Sequence, residues 1–305
     1  MKKIEQTAEQ LHTLRDCIRW GVSRFNKHHL FYGHGMTSAL DEAVYLCLHA
    51  LHLEPNFSSE YFDCRLTFEE RVKVLKLLKK RYQQRKPAAY LTHEAWFAGL
   101  RFYVDERVLV PRSPIAELIE AQFAPWIEEH QVQRVLDLCT GSGCIGIACA
   151  YAFPEAQVML ADVSAGALEV AQQNVAYHGL QDQVSLQASD LFSAIPEQSF
   201  DIIVSNPPYV DAQDMAGLPG EYLHEPELGL QAGEDGLALV VPMLHQARRY
   251  LSDHGILVVE VGNSEFALQE KYPQVPFMWL EFEHGGHGVF MLTAQQLDEY
   301  FSSPA

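Results

Sequence analysis

Past the first third of the chain, short apolar runs alternate with polar and helix-forming stretches. Val135 to Leu138, Gln157 to Ala161, Val184 to Ala188 and Phe200 to Ser205 each read as a buried strand. Strands that alternate with helices predict a mostly parallel α/β sheet. Near the end, Met278 to Phe282 and Val289 to Leu292 flank Glu283-His284-Gly285-Gly286-His287-Gly288, which reads as a tight turn closing a hairpin. The first third carries no strong strand signal and reads as helical. Ser38 followed by Asp41 and Glu42 opens a helix from Ala39 to Leu53, Pro55 to Ser59 is a loop, and Thr67 with Glu70 has capping-box form ahead of Val72, Leu75 and Leu78. Pro87 to Thr92 ends that helix, and the segment up to Val110 reads as a β-hairpin between domains. No repeat or low-complexity tract interrupts the pattern. It predicts a helical domain over residues 1–86, a hairpin linker over 87–115 and a doubly wound α/β domain over 116–305.

Composition sets bounds on this picture. With 305 residues, 48% of them hydrophobic, the chain can bury a large core and form two domains. The opening Met1 to Gln6 leads into a polar segment without an apolar signal region, and no later run approaches the length of a membrane span, so a cytoplasmic protein is expected. Cysteines 17, 47, 64, 139, 144 and 149 form no Cys-x-x-Cys pair and read as reduced structural thiols. Of the fourteen histidines, His284 and His287 are interleaved with glycines and belong to a turn, so no metal is expected. The net charge of −18 is uneven: residues 1–105 hold 16 basic and 12 acidic side chains, residues 106–305 hold 6 and 28. An acidic second half repels phosphates, which argues against a DNA or free-RNA substrate there and favours a basic protein. Arg71, Lys73, Lys76, Lys79, Lys80, Arg81, Arg85 and Lys86 crowd the second amino-terminal helix. They read first as a solvated face, with contact to RNA or to an acidic part of the substrate as the alternative.

The chemistry gathers where the strands end. After Phe200 to Ser205 comes Asn206-Pro207-Pro208-Tyr209. Two consecutive prolines donate no backbone hydrogen bond and fix φ, so the strand stops in a stiff turn. That turn offers one amide, uncommitted carbonyls and one aromatic ring, a set suited to a planar nitrogen bearing two protons. The bland reading is an ordinary strand-to-helix loop. Upstream, Val135-Leu136-Asp137-Leu138 runs into Cys139-Thr140-Gly141-Ser142-Gly143 and a helix, a glycine-rich turn compatible with NAD, FAD or S-adenosylmethionine. The next strand ends on Asp162, placed to accept ribose hydroxyls, and the third at Ser189-Asp190-Leu191-Phe192, placed to meet an adenine.

This ordered set resembles the class I S-adenosylmethionine-dependent methyltransferases, and Asn-Pro-Pro-Tyr narrows the acceptor to an amino or amide nitrogen. Within that superfamily the chain is similar to the HemK-like glutamine methyltransferases. The similarity takes in Val108 to Ile119, Glu225-Pro226-Glu227, Ala232 to Leu237 and Glu283 to Gly288, most of the chain after about residue 90. Ser113-Pro114-Ile115-Ala116 after Pro111-Arg112 is similar to the branch acting on ribosomal protein L three, where the release-factor branch usually carries Pro-Asp-Thr. The resemblance implies a Rossmann-like seven-stranded sheet whose last strand is antiparallel, S-adenosylmethionine as cofactor with S-adenosylhomocysteine as product, and a basic large-subunit ribosomal protein as partner, free or in an assembly intermediate. It implies cofactor contacts from Asp137, Cys139, Thr140, Gly141, Ser142, Gly143, Asp162, Asp190, Leu191 and Asn206, and acceptor binding by Asn206, Pro207, Pro208 and Tyr209. The basic balance of the helical domain and its lack of catalytic motifs suggest that it recognises the substrate. A release-factor methyltransferase, a nucleic-acid amino-group methyltransferase and a non-catalytic cofactor-binding module are the alternatives.

Overall fold

The computed structural model of the chain describes residues 2–301, which divide into two units. The first comprises residues up to Glu94 together with Pro219–His224, and the second Ala95–Leu218 with the residues from Glu225 onward. Met1 and residues 302–305, the outer ends of the segments expected above, lie outside the described residues.

The first unit is helical: α1 (Lys2–Gln10), α2 (Leu14–Lys27), α3 (Ala39–Ala50), α4 (Phe68–Gln84) and the short α5 (Ala88–Thr92). Side chains cap the longer helices. Thr13 and Asp16 form a capping box on α2, Ser38 caps α3, and Thr67 with Glu70 caps α4. Leu14, Cys17, Phe25, Ala43, Leu46, Cys47, Leu75 and Leu78 make the common core. Gly21 of α2 permits close packing, since a Cβ there would lie 3.1 Å from Leu78. Arg81 is fully buried in this unit. Its guanidinium donates to Glu42 at 2.6 Å and to the Phe31 carbonyl at 3.1 Å, and lies 3.5 Å from Glu221. The second oxygen of Glu221 accepts from Arg85 at 2.9 Å. Glu221 thus carries the returning segment into the helical core.

The second unit opens with a hairpin, β1 (Ala95–Phe97) and β2 (Leu100–Phe102), whose two turn residues Ala98 and Gly99 both have positive φ. Then follow α6 (Ile115–Glu120), β3 (Arg134–Leu138), α7 (Cys144–Ala152), β4 (Gln157–Asp162), α8 (Ala165–His178), β5 (Val184–Ala188), β6 (Phe200–Ser205), α9 (Ala212–Gly217) and α10 (Val240–Ala247). The chain closes with β7 (Leu251–Glu260), α11 (Glu265–Lys271), β8 (Met278–Trp279), β9 (Val289–Thr293) and α12 (Ala294–Phe301). Seven strands form one sheet in the order β5-β4-β3-β6-β7-β9-β8. The first five run parallel, and β9 is antiparallel to both of its neighbours. Alternate residues of each central strand enter opposite cores. Val135, Ile202 and Val204 pack with residues of α6, α7 and α8, whereas Leu136, Ile203 and Leu257 pack with residues of α10, α11 and α12.

Two expectations are corrected here. The strand expected over Met278 to Phe282 is only Met278–Trp279, and the closing turn is not tight but a loop over residues 280–288. Its backbone is held elsewhere, because the Glu117 carboxylate accepts from the amides of Glu283 and His284. Among the described residues no helix is long and apolar enough to cross a membrane.

Candidate active site

The sheet order reverses at β3: β4 and β5 lie to one side, and β6 returns to the other. Ligands of open parallel sheets bind outside the carboxyl ends of the strands at such a switch point. Leu138 is register partner of both Ala161 and Ser205, and Asp162 of Ala188. The segments that begin at Cys139, Val163, Ser189 and Asn206 therefore leave the sheet side by side. A hydrogen bond from the Ser205 hydroxyl to the Leu138 carbonyl, 2.7 Å, locks the ends of β3 and β6 together.

The glycine-rich turn has Cys139, Gly141 and Gly143 at positive φ. A Cβ on Gly141 would meet nothing within 4 Å, so the outer face of the turn is open. Gly146 works in the opposite sense: a Cβ there would lie 2.1 Å from Leu160 and 3.1 Å from Asp137, so its absence lets α7 seat on β3 and β4. Asp137 lies fully buried beneath the turn. One of its oxygens accepts from the Thr140 hydroxyl at 2.5 Å and from the Gly146 amide at 2.9 Å, while Oδ1 has no partner among the described residues. Burial pushes this carboxyl up to about 7, against the pull of those two donors. The turn is braced from α8 by Asn174, whose amide donates to the carbonyls of Ser142 and Tyr103 and accepts from the Tyr103 amide. Sequence reasoning missed Asn174, since nothing local distinguishes it from any polar helix residue.

Asp162 accepts from the Gly141 amide at 2.9 Å and, through its other oxygen, from the Ser164 amide at 2.8 Å. Burial again raises its pKa, opposed by these amides. Each oxygen keeps a lone pair for a further donor. Val163, the next residue, is 58% exposed, an apolar side chain left open at the strand end that sequence reasoning also passed over. Its signal was there in an apolar residue directly after a strand-terminal acid. Just after β5 the Ser189 hydroxyl donates to the Leu191 carbonyl and accepts from the Ala194 amide, which shapes the turn. Asp190 is exposed and Leu191 nearly buried, with positive φ. Phe192, expected with them at the ligand, is instead taken into the core, where it stacks on Tyr250 with ring centroids 4.7 Å apart.

After β6, Asn206 is half-buried, and no hydrogen bond of its amide is found among the described residues. Pro207 and Pro208 are buried. Tyr209 is held at three points: its hydroxyl donates to Glu260 at 3.0 Å, its carbonyl accepts from the Ser264 hydroxyl at 2.9 Å, and its ring lies where a Cβ on Gly262 would stand, 2.5 Å from Cε2. Other sequence motifs converge on the same residues. The Ser113 hydroxyl donates to the second oxygen of Glu260 at 2.5 Å. Neighbouring Arg112 forms a two-pronged pair with Glu225, which also accepts from the Val110 amide. The Gly288 carbonyl accepts from the Val261 and Gly262 amides, and Gly286 lies against Pro114. Sequence reasoning missed Glu260, which closes a strand it did not single out.

No group of three or more His, Cys, Asp or Glu side chains among the described residues is arranged to hold a metal ion. The described cysteines are all free thiols.

The chain is similar to known proteins in sequence and in fold. Residues 121–221 match the family described as Methyltransferase small domain. Over most of its length the chain is similar to three proteins named ribosomal protein uL3 glutamine methyltransferase. Identity is 47% over 300 residues with that of Francisella tularensis subsp. tularensis, covering 98% of this chain and 96% of the relative. It is 49% over 291 residues with that of Bordetella pertussis (95% and 98%), and 48% over 293 residues with that of Neisseria gonorrhoeae (96% and 98%). Among solved structures, the hMettl16 catalytic domain in complex with a MAT2A 3′UTR hairpin superposes with a TM-score of 0.51 at 18% identity, covering 74% of this chain and 81% of that one. This likeness is one of fold.

Proposed function

The chain belongs to the family of ribosomal protein uL3 glutamine methyltransferases, and from that membership we propose that it methylates the side-chain amide nitrogen of a glutamine in uL3, using S-adenosylmethionine, at the carboxyl edge of β3 to β6. The observation that carries the reading is the register pairing of Leu138 with Ser205, which sets the glycine-rich turn beside Asn206-Pro207-Pro208-Tyr209.

The residues present suit S-adenosylmethionine. The open face of Gly141, the partnerless Oδ1 of Asp137, the remaining lone pairs of Asp162 and the exposed apolar surface of Val163 offer backbone approach, a buried acceptor, hydroxyl acceptors and a face for an adenine. Cys139, Thr140, Ser142, Gly143, Asp190, Leu191 and Asn206 complete the proposed cofactor contacts. When bound, the sulfonium supplies an activated methyl group and needs no metal.

The protein's own task is orientation. An amide nitrogen is a poor nucleophile because its lone pair is delocalised into the carbonyl, so transfer depends on geometry. Asn206 Oδ1 accepts one N–H of the glutamine, the Pro207 carbonyl the other, and the Tyr209 ring packs on the amide plane with Pro208 fixing the turn. Glutamate is rejected because a carboxylate has no donor to offer these acceptors. No general base is required before transfer, since the methylated amidium is strongly acidic. The helical amino-terminal domain is assigned to substrate recognition, with Lys73, Lys76 and Lys80 exposed along α4 for an RNA or acidic partner. Activity is placed in the cytoplasm, where ribosomal proteins are made.

The test is incubation of the enzyme with labelled S-adenosylmethionine and extract of cells lacking it, followed by mass spectrometry of the labelled species. Methylated glutamine in uL3 is expected. A label on a base, a lysine or a release factor would overturn the reading.

A further inference from the structure

Tyr209 has a task that its chain position does not secure. The ring must lie flat against the acceptor amide, yet two prolines fix only the backbone before it and leave χ1 and χ2 free. Glu260, the last residue of β7, is 6% exposed, and its carboxylate divides its oxygens between two hydroxyls from distant segments: Tyr209 at 3.0 Å on Oε1 and Ser113 at 2.5 Å on Oε2. A rigid sheet terminus thus aims the phenol, and the Ser113 donor, which also accepts from the Ile115 amide at 3.2 Å, keeps the carboxylate itself from rotating. Burial raises the Glu260 pKa, and the Ser113 and Tyr209 hydroxyls and the charges of Arg112 and His287 draw it back toward the ionised, doubly accepting form.

We propose that Glu260 is a positioning residue for methyl transfer: it orients the Tyr209 ring through the phenol hydroxyl, and the Pro111-Arg112-Ser113 segment acts on the acceptor site through that same carboxylate. This rests on the reading of Asn206 to Tyr209 as the glutamine site. Glu260 touches neither substrate nor cofactor in this role. Its loss should therefore affect turnover and not cofactor affinity, and should matter only while Tyr209 has a hydroxyl to hold.

The experiment is a double-mutant cycle on the full-length enzyme with uL3 as substrate. Glu260→Gln keeps the shape but offers one acceptor oxygen for two hydroxyls; Tyr209→Phe keeps the ring and removes the hydroxyl. Each is expected to lower kcat about tenfold, with KM for uL3 and cofactor affinity by calorimetry within about twofold of the parent, and the double variant should match the slower single one. Glu260→Asp, which keeps two acceptor oxygens on a shorter arm, should recover part of the loss. If the two losses multiply to about a hundredfold, Glu260 acts independently of the phenol and the proposal is wrong. Parental kcat in Tyr209→Phe would overturn it alone, whatever the folding of the Glu260 variants. Failure of the parent enzyme to methylate uL3 would overturn the functional reading instead, so the two failures are separable.

Discussion

Asn206, proposed above to hold the acceptor amide, is half-buried, and its own amide makes no hydrogen bond among the described residues. A group left in that state contributes little to stability, so Asn206→Ala should fold normally. Cofactor affinity should stay within a few-fold while turnover falls by about 10² or more if, as proposed, the lost contact orients the acceptor. Single-turnover kinetics beside calorimetry would check both halves. Asp137 presents the opposite case, a buried carboxyl that opposes the fold when ionised. In an unfolded chain it titrates near 3.8, whereas in the fold it holds its proton up to about 7. Between these values the folded state binds more protons than the unfolded state, so stability falls as pH rises through that window. Asp137→Asn should remove that fall. Denaturant titrations at pH 5 and pH 8 should show the parent losing stability relative to the variant by on the order of a few kcal/mol.

At the level of elements, the Gly262 turn after β7 shows how a strand end shapes a neighbouring loop. Gly262 has φ of +47, and a Cβ would stand 2.5 Å from the Tyr209 ring. Gly262→Ala should therefore cost about 1 kcal/mol in backbone strain and displace the ring, cutting kcat at least tenfold with cofactor affinity retained, as steady-state kinetics would show. Sequence reasoning saw β3, β4, β5 and β6 within a residue of their ends, because each is an apolar run bounded by turn residues. It did not single out β7, although Ile256 to Val259 are all buried, since Ser252-Asp253-His254 breaks the pattern at the strand's exposed start. It also overextended β8, where Leu280 and Phe282 are apolar yet pack beside the core outside any strand. The Ser38 cap of α3 and the capping box of α4 were legible for a local reason, side chains meeting backbone within one turn. Glu260 and Asn174 were not, because their partners lie 51 and 71 residues away in the chain.

For the whole molecule, charge and topology divide differently. The basic balance belongs to the first 105 residues and the acidic one to the rest, yet the acidic Pro219–His224 segment is part of the first unit. Glu221→Ala would strip Arg81 of one of two carboxylates in a fully buried site. It should destabilise the first unit by about 3 kcal/mol, the low end for a broken buried pair because Glu42 remains. Urea unfolding followed by Trp20 fluorescence would measure it, and cofactor binding should persist. Deleting residues 1–87 is correspondingly a poor test of substrate recognition, because it leaves Glu221 without either arginine partner unless the 219–224 segment is replaced as well.

The return of that segment also orders events in time. A chain emerging from the ribosome has made α1 to α5 by residue 92, yet Arg85 meets Glu221 only after more than a hundred further residues have been synthesised. The amino-terminal unit is first in the sequence, yet it stays incomplete until residues 219–224 have been made, well after most strands of the second unit have been synthesised. Nascent chains stalled before residue 219 should hold these helices in a looser state, more open to protease, than chains stalled far enough on for His224 to have cleared the exit tunnel.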